Sequence, residues 1–175
     1  MSSTHTDLPA RKPREAAAPV DRPTALAKAR VLFTDSAGRV LLVRLCSVAA
    51  RPHWGLPGGT VEAGSETPRD AAVREIREEL ALPCSPGRLL SVDWVRRPDD
   101  LPRMVHVFDG GQLDERDLAR IRLDETELGE WRMCAPEEAR QLMSPQSWGQ
   151  LKESLTARAA GRGPAELVDG TPVAH

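Results

Sequence analysis

The 175 residues suit one ordinary domain with some length left for tails, and 40% hydrophobic and 29% charged residues suit a real core under a solvated surface. A net charge of −2 gives no general pull toward nucleic acid or an anionic membrane surface. No apolar run approaches the roughly 20 residues of a membrane span, no signal-peptide core opens the chain, and Cys46, Cys84 and Cys134 form no CxxC pair, so the expected setting is cytoplasmic and reduced.

Residues 1–24 carry Pro9, Pro13, Pro19 and Pro23 without usable periodicity and read as a disordered arm. The globular part is expected over 25–155. "KARVLFTDSAGRVLLVRL" is two apolar runs about Asp35-Ser36-Ala37-Gly38, a hairpin pattern. A glycine-rich loop, "WGLPGGTVEAG", and a helix from Pro68 to about Leu80 follow. "LLSVDWVRR", "RMVHVFDGG" and "GEWRMCA" read as strands. Helices over Glu137–Met143 and Gln146–Leu155 close the domain, and 156–175 reads as a flexible tail. Strands on both sides of a central helix predict an α/β (α+β) fold with a mixed β-sheet between helices.

The central helix carries the chemistry. Thr67 can cap it, Pro68 loses no hydrogen bond at the first position, and Asp70 suits the positive end of the helix. At about 100° per residue, Val73, Ile76 and Leu80 share an arc that should face the core. Glu75, Glu78 and Glu79 share another arc on a different side. A like-charged i,i+4 pair costs about 0.2–0.5 kcal/mol, so the cluster suggests a bound cation, while Arg74 can pair with Glu78. Several carboxylates with no His or Cys nearby favour Mg²⁺ or Mn²⁺ over Zn²⁺. Mg²⁺ so held completes its shell with water and phosphate oxygens, which leads to metal-assisted attack of water on a phosphate.

These residues resemble the signature of the Nudix hydrolases: Gly, five residues, Glu, seven residues, then Arg-Glu-apolar-x-Glu-Glu-x-Gly-apolar. Gly59 opens it, Glu66 is the isolated glutamate, and "REIREELAL", Arg74 to Leu82, closes it. Six residues rather than five precede Glu66, with Ser65 as the insertion, and Ala81 stands where the family has Gly. The resemblance implies an α/β/α sandwich and cleavage of a nucleoside diphosphate linked to some moiety X. It implies divalent metal bound by Glu75, Glu78, Glu79 and a backbone carbonyl of the Gly58-Gly59 turn. Arg74 would orient one of those glutamates, and Glu66 would be a further metal-associated or base-assisting carboxylate.

Family members often draw the catalytic base from a later loop. "RLDETELGEW" offers Asp124, Glu125, Glu127 and Glu130, of which Glu125 or Glu127 is expected to assist. With no Tyr, a base could stack on Trp54, Phe33, Trp94, Phe108 or Trp131. Trp94, beside Arg96 and Arg97 that could hold a phosphate or ribose, is the preferred substrate-binding candidate. The expected substrate is a nucleotide-type small molecule, ADP-ribose or a nucleotide sugar ahead of nucleoside triphosphates. No nucleic-acid or membrane partner is expected, and a homodimer is left open. The competing reading is a Nudix-fold sensor that binds a nucleotide without cleaving it.

Overall fold

The structure, a computed structural model, describes residues 24–46, 53–62 and 64–174. The expected hairpin forms from β1 (Leu26–Thr34) and β2 (Val40–Leu45). Asp35 closes the turn by accepting hydrogen bonds from the backbone N–H of Ala37 and Arg39, both at 2.9 Å. Then come β3 (His53–Gly55), α1 (Pro68–Leu80), β4 (Leu89–Val95), β5 (Arg103–Gln112) and α2 (Glu115–Arg120). The chain continues through β6 (Leu128–Cys134), α3 (Pro136–Leu142), α4 (Pro145–Ala160), β7 (Ala165–Val168) and β8 (Thr171–Pro172).

The strands make one mixed sheet in the order β3-β2-β1-β5-β4-β7-β8, with β6 also on β2. The β1–β5 and β4–β7 pairs are parallel. Each face buries its own core, as alternation along a strand requires. Val31, Phe33 and Leu41 pack with Ile76 and Leu80 of α1, while Leu32, Leu42 and Val107 pack with Leu151 of α4. The mixed sheet between helices is therefore as expected.

Where the sheet opens matters for function. β1 and β2 pair only at Thr34 opposite Val40. Beyond that point the glycine-rich loop takes the place of β2 beside β1: Val31 N–H donates to the Pro57 carbonyl, and Ala29 N–H to that of Gly59, both at 3.0 Å. This places the loop over one end of α1.

Two expectations need correction. Val73 is 38% exposed and does not face the core. The buried side of α1 is made by Ala71, Ala72, Ile76 and Leu80 together with Glu75 and Glu79, so two of the three glutamates lie inside the buried arc. The reason is the loop, which covers the glutamate side and shifts the buried stripe away from Val73. The stretch 156–175 is not a tail throughout. α4 runs to Ala160, and Asp169-Gly170, with φ of 50° and 77°, turns β7 back into β8. Gly149 of α4 lies so close to Gly170 that a Cβ on either would strike the other segment's backbone. The buried Asp93 carboxylate accepts the Gly170 N–H at 3.1 Å and Gln150 Nε2 at 2.6 Å. The expected arm, 1–24, lies outside the described residues except for Thr24.

The ends of α1 follow local rules. Thr67 and Asp70 form a reciprocal capping box with Pro68 at the first position. At the other end Ala81 is left-handed, with φ 55° and ψ 24°, and its N–H donates to the Arg77 carbonyl. A side chain in that region is strained by about 1–2 kcal/mol, partly offset by the chain freedom a glycine would add to the unfolded state. Ala81→Gly should therefore stabilise by about 1 kcal/mol, raising the melting midpoint by roughly 2–4 °C. A thermal scan showing an unchanged or lower midpoint would count against strain at this position.

Candidate active site

Arg74, on the exposed border of α1, gathers three carboxylates. Its Nη2 and Nε donate to Glu66 at 2.7 and 3.1 Å, and its Nη1 donates to Glu75 and Glu78, each at 3.0 Å. A further bond runs to the Thr60 carbonyl at 3.1 Å, which ties the helix to the loop. The hydrogen bonds from Arg74 hold the Glu66 carboxyl below its usual range. The extra residue before Glu66 is taken up in a tight turn in which Ser65 and Glu66 both donate backbone N–H to the Glu62 carbonyl. Ser65 thus leaves Glu66 on Arg74, where the seven-residue spacing puts it.

Glu79 is 3% exposed, and its Oε2 accepts the Gly58 N–H at 2.6 Å. Burial pushes its pKa up to about 7, against the opposing pull of that N–H and of Arg30. Burial also raises Glu75, although Arg74 bonds it. Gly59 is needed beside it, because a Cβ there would overlap the Glu75 carboxylate. Gly58, with φ 124°, presses against the Ala29 carbonyl, a backbone conformation and a contact that both suit glycine.

Glu75, Glu78, Glu79, Arg74, Gly58 and Gly59 line an open cleft of about 590 Å³, together with Lys28, Arg30, Glu62 and Glu127. Among the described residues no three acidic, His or Cys side chains converge as a preformed metal cage. Arg74 sits between Glu66, Glu75 and Glu78 instead. The donor set nevertheless fits a hard divalent cation. Every side-chain donor is a carboxylate, Glu79 is held desolvated at the wall, and the carbonyl of the buried Gly58 accepts no hydrogen bond among the described residues.

The loop after α2 brings in one more carboxylate. Asp124 N–H donates to the Glu79 carbonyl at 3.2 Å, and Cys46 N–H to the Glu127 carbonyl at 2.7 Å, so the loop bridges the end of α1 and the end of β2. Glu127 then lines the cleft. Asp124 is turned to Thr126, and Glu130 bonds Arg44 and Arg132. Of the four carboxylates in "RLDETELGEW", only Glu127 lines the described cleft; Glu125 does not.

The structure separates the three substrate-binding candidates. Trp94 is exposed on β4 opposite Met104 and lines neither this cleft nor the cavity beside it. Arg96 is engaged with Asp169, whose carboxylate accepts its Nε at 2.7 Å. Arg97 lines the neighbouring cavity with Arg30, Arg103 and His53. Phe33, Trp54 and Phe108 are buried in the two cores. Sequence reasoning overlooked Arg30, Lys28 and Glu62. The first two stand at every second position of β1 on the side opposite Ala29 and Val31, a pattern visible in "KARVLF".

A family model described as the NUDIX domain matches residues 25–156. The 8-oxo-dGDP phosphatase NUDT18 of Homo sapiens is 40% identical over 70 residues, 37% of this chain and only 21% of that protein. The solution structure of the Escherichia coli ORF135 protein superposes with a TM-score of 0.66 at 23% identity, covering 82% of this chain and 97% of that one. A UDP-X diphosphatase superposes with a TM-score of 0.63 at 22% identity, over 89% of this chain and 70% of that one.

Proposed function

The chain belongs to the Nudix domain family, and from that premise we propose that it is a divalent-metal-dependent hydrolase of a nucleoside diphosphate linked to another moiety. The observation that carries the reading is the set of desolvated and cross-braced glutamates around Arg74, facing a cleft beneath the Gly58-Gly59 turn. Glu75, Glu78, Glu79 and the Gly58 carbonyl would hold Mg²⁺ or Mn²⁺. When bound, the metal supplies a Lewis acid for the phosphate oxygens and lowers the pKa of attacking water.

The remaining work falls to the chain. Arg74 orients Glu75 and Glu78 and draws Glu66 onto itself, so Glu66 acts by positioning Arg74. Glu127, which lines the same cleft, would accept the proton of the attacking water. Arg30 and Lys28 offer cationic donors to the phosphate oxygens as negative charge builds on them. In size and polarity the cleft suits ADP-ribose or a nucleotide sugar, a class to which a UDP-X substrate belongs, whereas 8-oxo-dGDP, for which another relative is named, is a nucleoside diphosphate without a further moiety. Free thiols at Cys46, Cys84 and Cys134 are in keeping with a cytoplasmic setting.

The test is chromatographic product analysis with Mg²⁺ and a panel of ADP-ribose, nucleotide sugars, dinucleoside polyphosphates, and normal and oxidised nucleoside di- and triphosphates. Metal-dependent cleavage that is lost in Glu78→Gln/Glu79→Gln supports the hydrolase. Nucleotide binding without turnover would favour the sensor. On the substrate so found, Glu127→Gln should lower kcat by about 10²–10⁴-fold, whereas Glu125→Gln should stay within a few-fold of wild type. Equal effects from the two replacements would remove Glu127 from the mechanism.

A further inference from the structure

Beside the carboxylate cleft lies a smaller cavity of about 90 Å³, walled by β1, the adjoining ends of β4 and β5, and the first turn of α4. Lys28, Arg30, His53, Arg97 and Arg103 line it, and among the described residues no carboxylate does. Lys28 and Arg30 line both spaces, so the two adjoin along β1. The larger space thus mixes carboxylates with cations, while the charged residues lining the smaller one are all basic.

The smaller space is short of partners. Among the described residues, the Arg30 and Arg97 guanidinium groups make no hydrogen bond or ion pair. Arg103 gives Nη2 to Asp100 at 3.0 Å, but its Nε is buried without any hydrogen-bond partner. Burial and the neighbouring arginines hold Lys28 and His53 below their usual pKa ranges, although Glu75 pulls Lys28 the other way and Lys28 Nζ donates to Thr60 Oγ1 at 2.8 Å. The first turn of α4 adds to this field: Pro145 has no N–H, Ser144 caps that of Ser147, and Gln146, on the cavity wall, keeps its own N–H unpaired among the described residues.

We propose that this cavity binds a phosphate carried by the substrate in addition to the scissile diphosphate. The substrate class is then a nucleoside diphosphate derivative bearing a further phosphomonoester remote from the reacting bond. This rests on the hydrolase reading in one respect, that the diphosphate occupies the carboxylate cleft. Guanidinium forks and a helix N–H match the several acceptors of a phosphate dianion. A bare nucleobase fits poorly, since His53 is the sole ring on the cavity wall among the described residues. The scissile diphosphate itself belongs on the other side of Arg30, against the glutamates.

Calorimetric titration of adenosine 5′-monophosphate against the 2′,5′- and 3′,5′-bisphosphates tests this without requiring turnover. The wild-type protein should bind one bisphosphate at least about tenfold more tightly than the monophosphate, a gain of about 1.4 kcal/mol. In Arg97→Gln/Arg103→Gln that preference should fall to within about twofold, with monophosphate affinity unchanged. Arg97→Gln alone, at an exposed position, serves as the second variant should the pair destabilise the fold, and should lose at least half of the preference on the logarithmic scale. Equal affinities in the wild type, or a preference that survives in the variants, would overturn the proposal. The bisphosphates contain no anhydride, so a wild-type preference that the variants lose, with no turnover on the hydrolysis panel, would sink the hydrolase reading and leave the cavity as a site for the second phosphate of a bound nucleotide.

Discussion

Glu79→Gln is expected to lower metal-dependent turnover by at least about a thousandfold, equivalent to about 4 kcal/mol of transition-state stabilisation, while raising the melting temperature of the metal-free protein. The two effects share a cause. Glu79 is buried at the cleft wall, and burial disfavours its charge. Gln keeps an oxygen for the Gly58 N–H, so the loop contact survives, but the anionic donor proposed for the metal is gone. The pH dependence follows from the raised pKa. An acid whose folded pKa is pushed to about 7 favours the folded state at low pH, and that advantage is lost as pH rises from the ordinary carboxylate range through 7. The stability gap between variant and wild type should therefore widen between pH 5 and pH 8 in chelator and shrink when Mg²⁺ is added. A variant that melts lower than wild type across this range, or that keeps the full Mg²⁺ response, would remove Glu79 as the buried ligand.

Adding a single methyl group to the glycine turn should separate folding from chemistry. At Gly58 the methyl group would meet the Ala29 carbonyl and Arg30 Cα, both backbone, from a φ of 124° that side chains rarely adopt. Neither obstacle can rotate aside. Conformational strain of about 1–2 kcal/mol and overpacking of about 1–3 kcal/mol together predict that Gly58→Ala loses about 3 kcal/mol of stability. At Gly59 the backbone is ordinary, and the obstacle is the Glu75 carboxylate. That side chain can swing away, breaking its bond to Arg74 Nη1. Gly59→Ala should consequently lose turnover by about a hundredfold while its denaturation midpoint falls much less than that of Gly58→Ala. Retained activity in Gly59→Ala would mean that the position of Glu75 does not matter to catalysis, and the metal reading would then rest on Glu78 and Glu79 alone.

Much of this could be read along the chain where partners lie within a few residues. The Thr67 cap, Pro68, the left-handed Ala81 and the Arg74–Glu78 pair all depend on bonds spanning three or four positions. The Asp169-Gly170 turn was equally local, a hairpin dipeptide in "LVDGTPV" overlooked among the glycines and prolines of the last segment. What secures that hairpin, Gly149 against Gly170 and Asp93 beneath it, involves separations no periodicity reveals.

The sequence by itself determined the capped acidic helix, the Arg74–Glu78 pair and the family they resemble, because helix geometry places those side chains without reference to anything distant, and the alternation of strands and helices along the chain indicated the mixed sheet. Tertiary structure alone decided which of them are buried. The parting of β1 from β2 lets the Pro57–Gly59 loop lie over α1, and that contact desolvates Glu75 and Glu79 while leaving Glu78 open. It also chose Glu127 from four loop carboxylates and set Arg30, Arg97 and Arg103 around one cavity, since these residues meet only when separate strands and the first turn of α4 close on the same space.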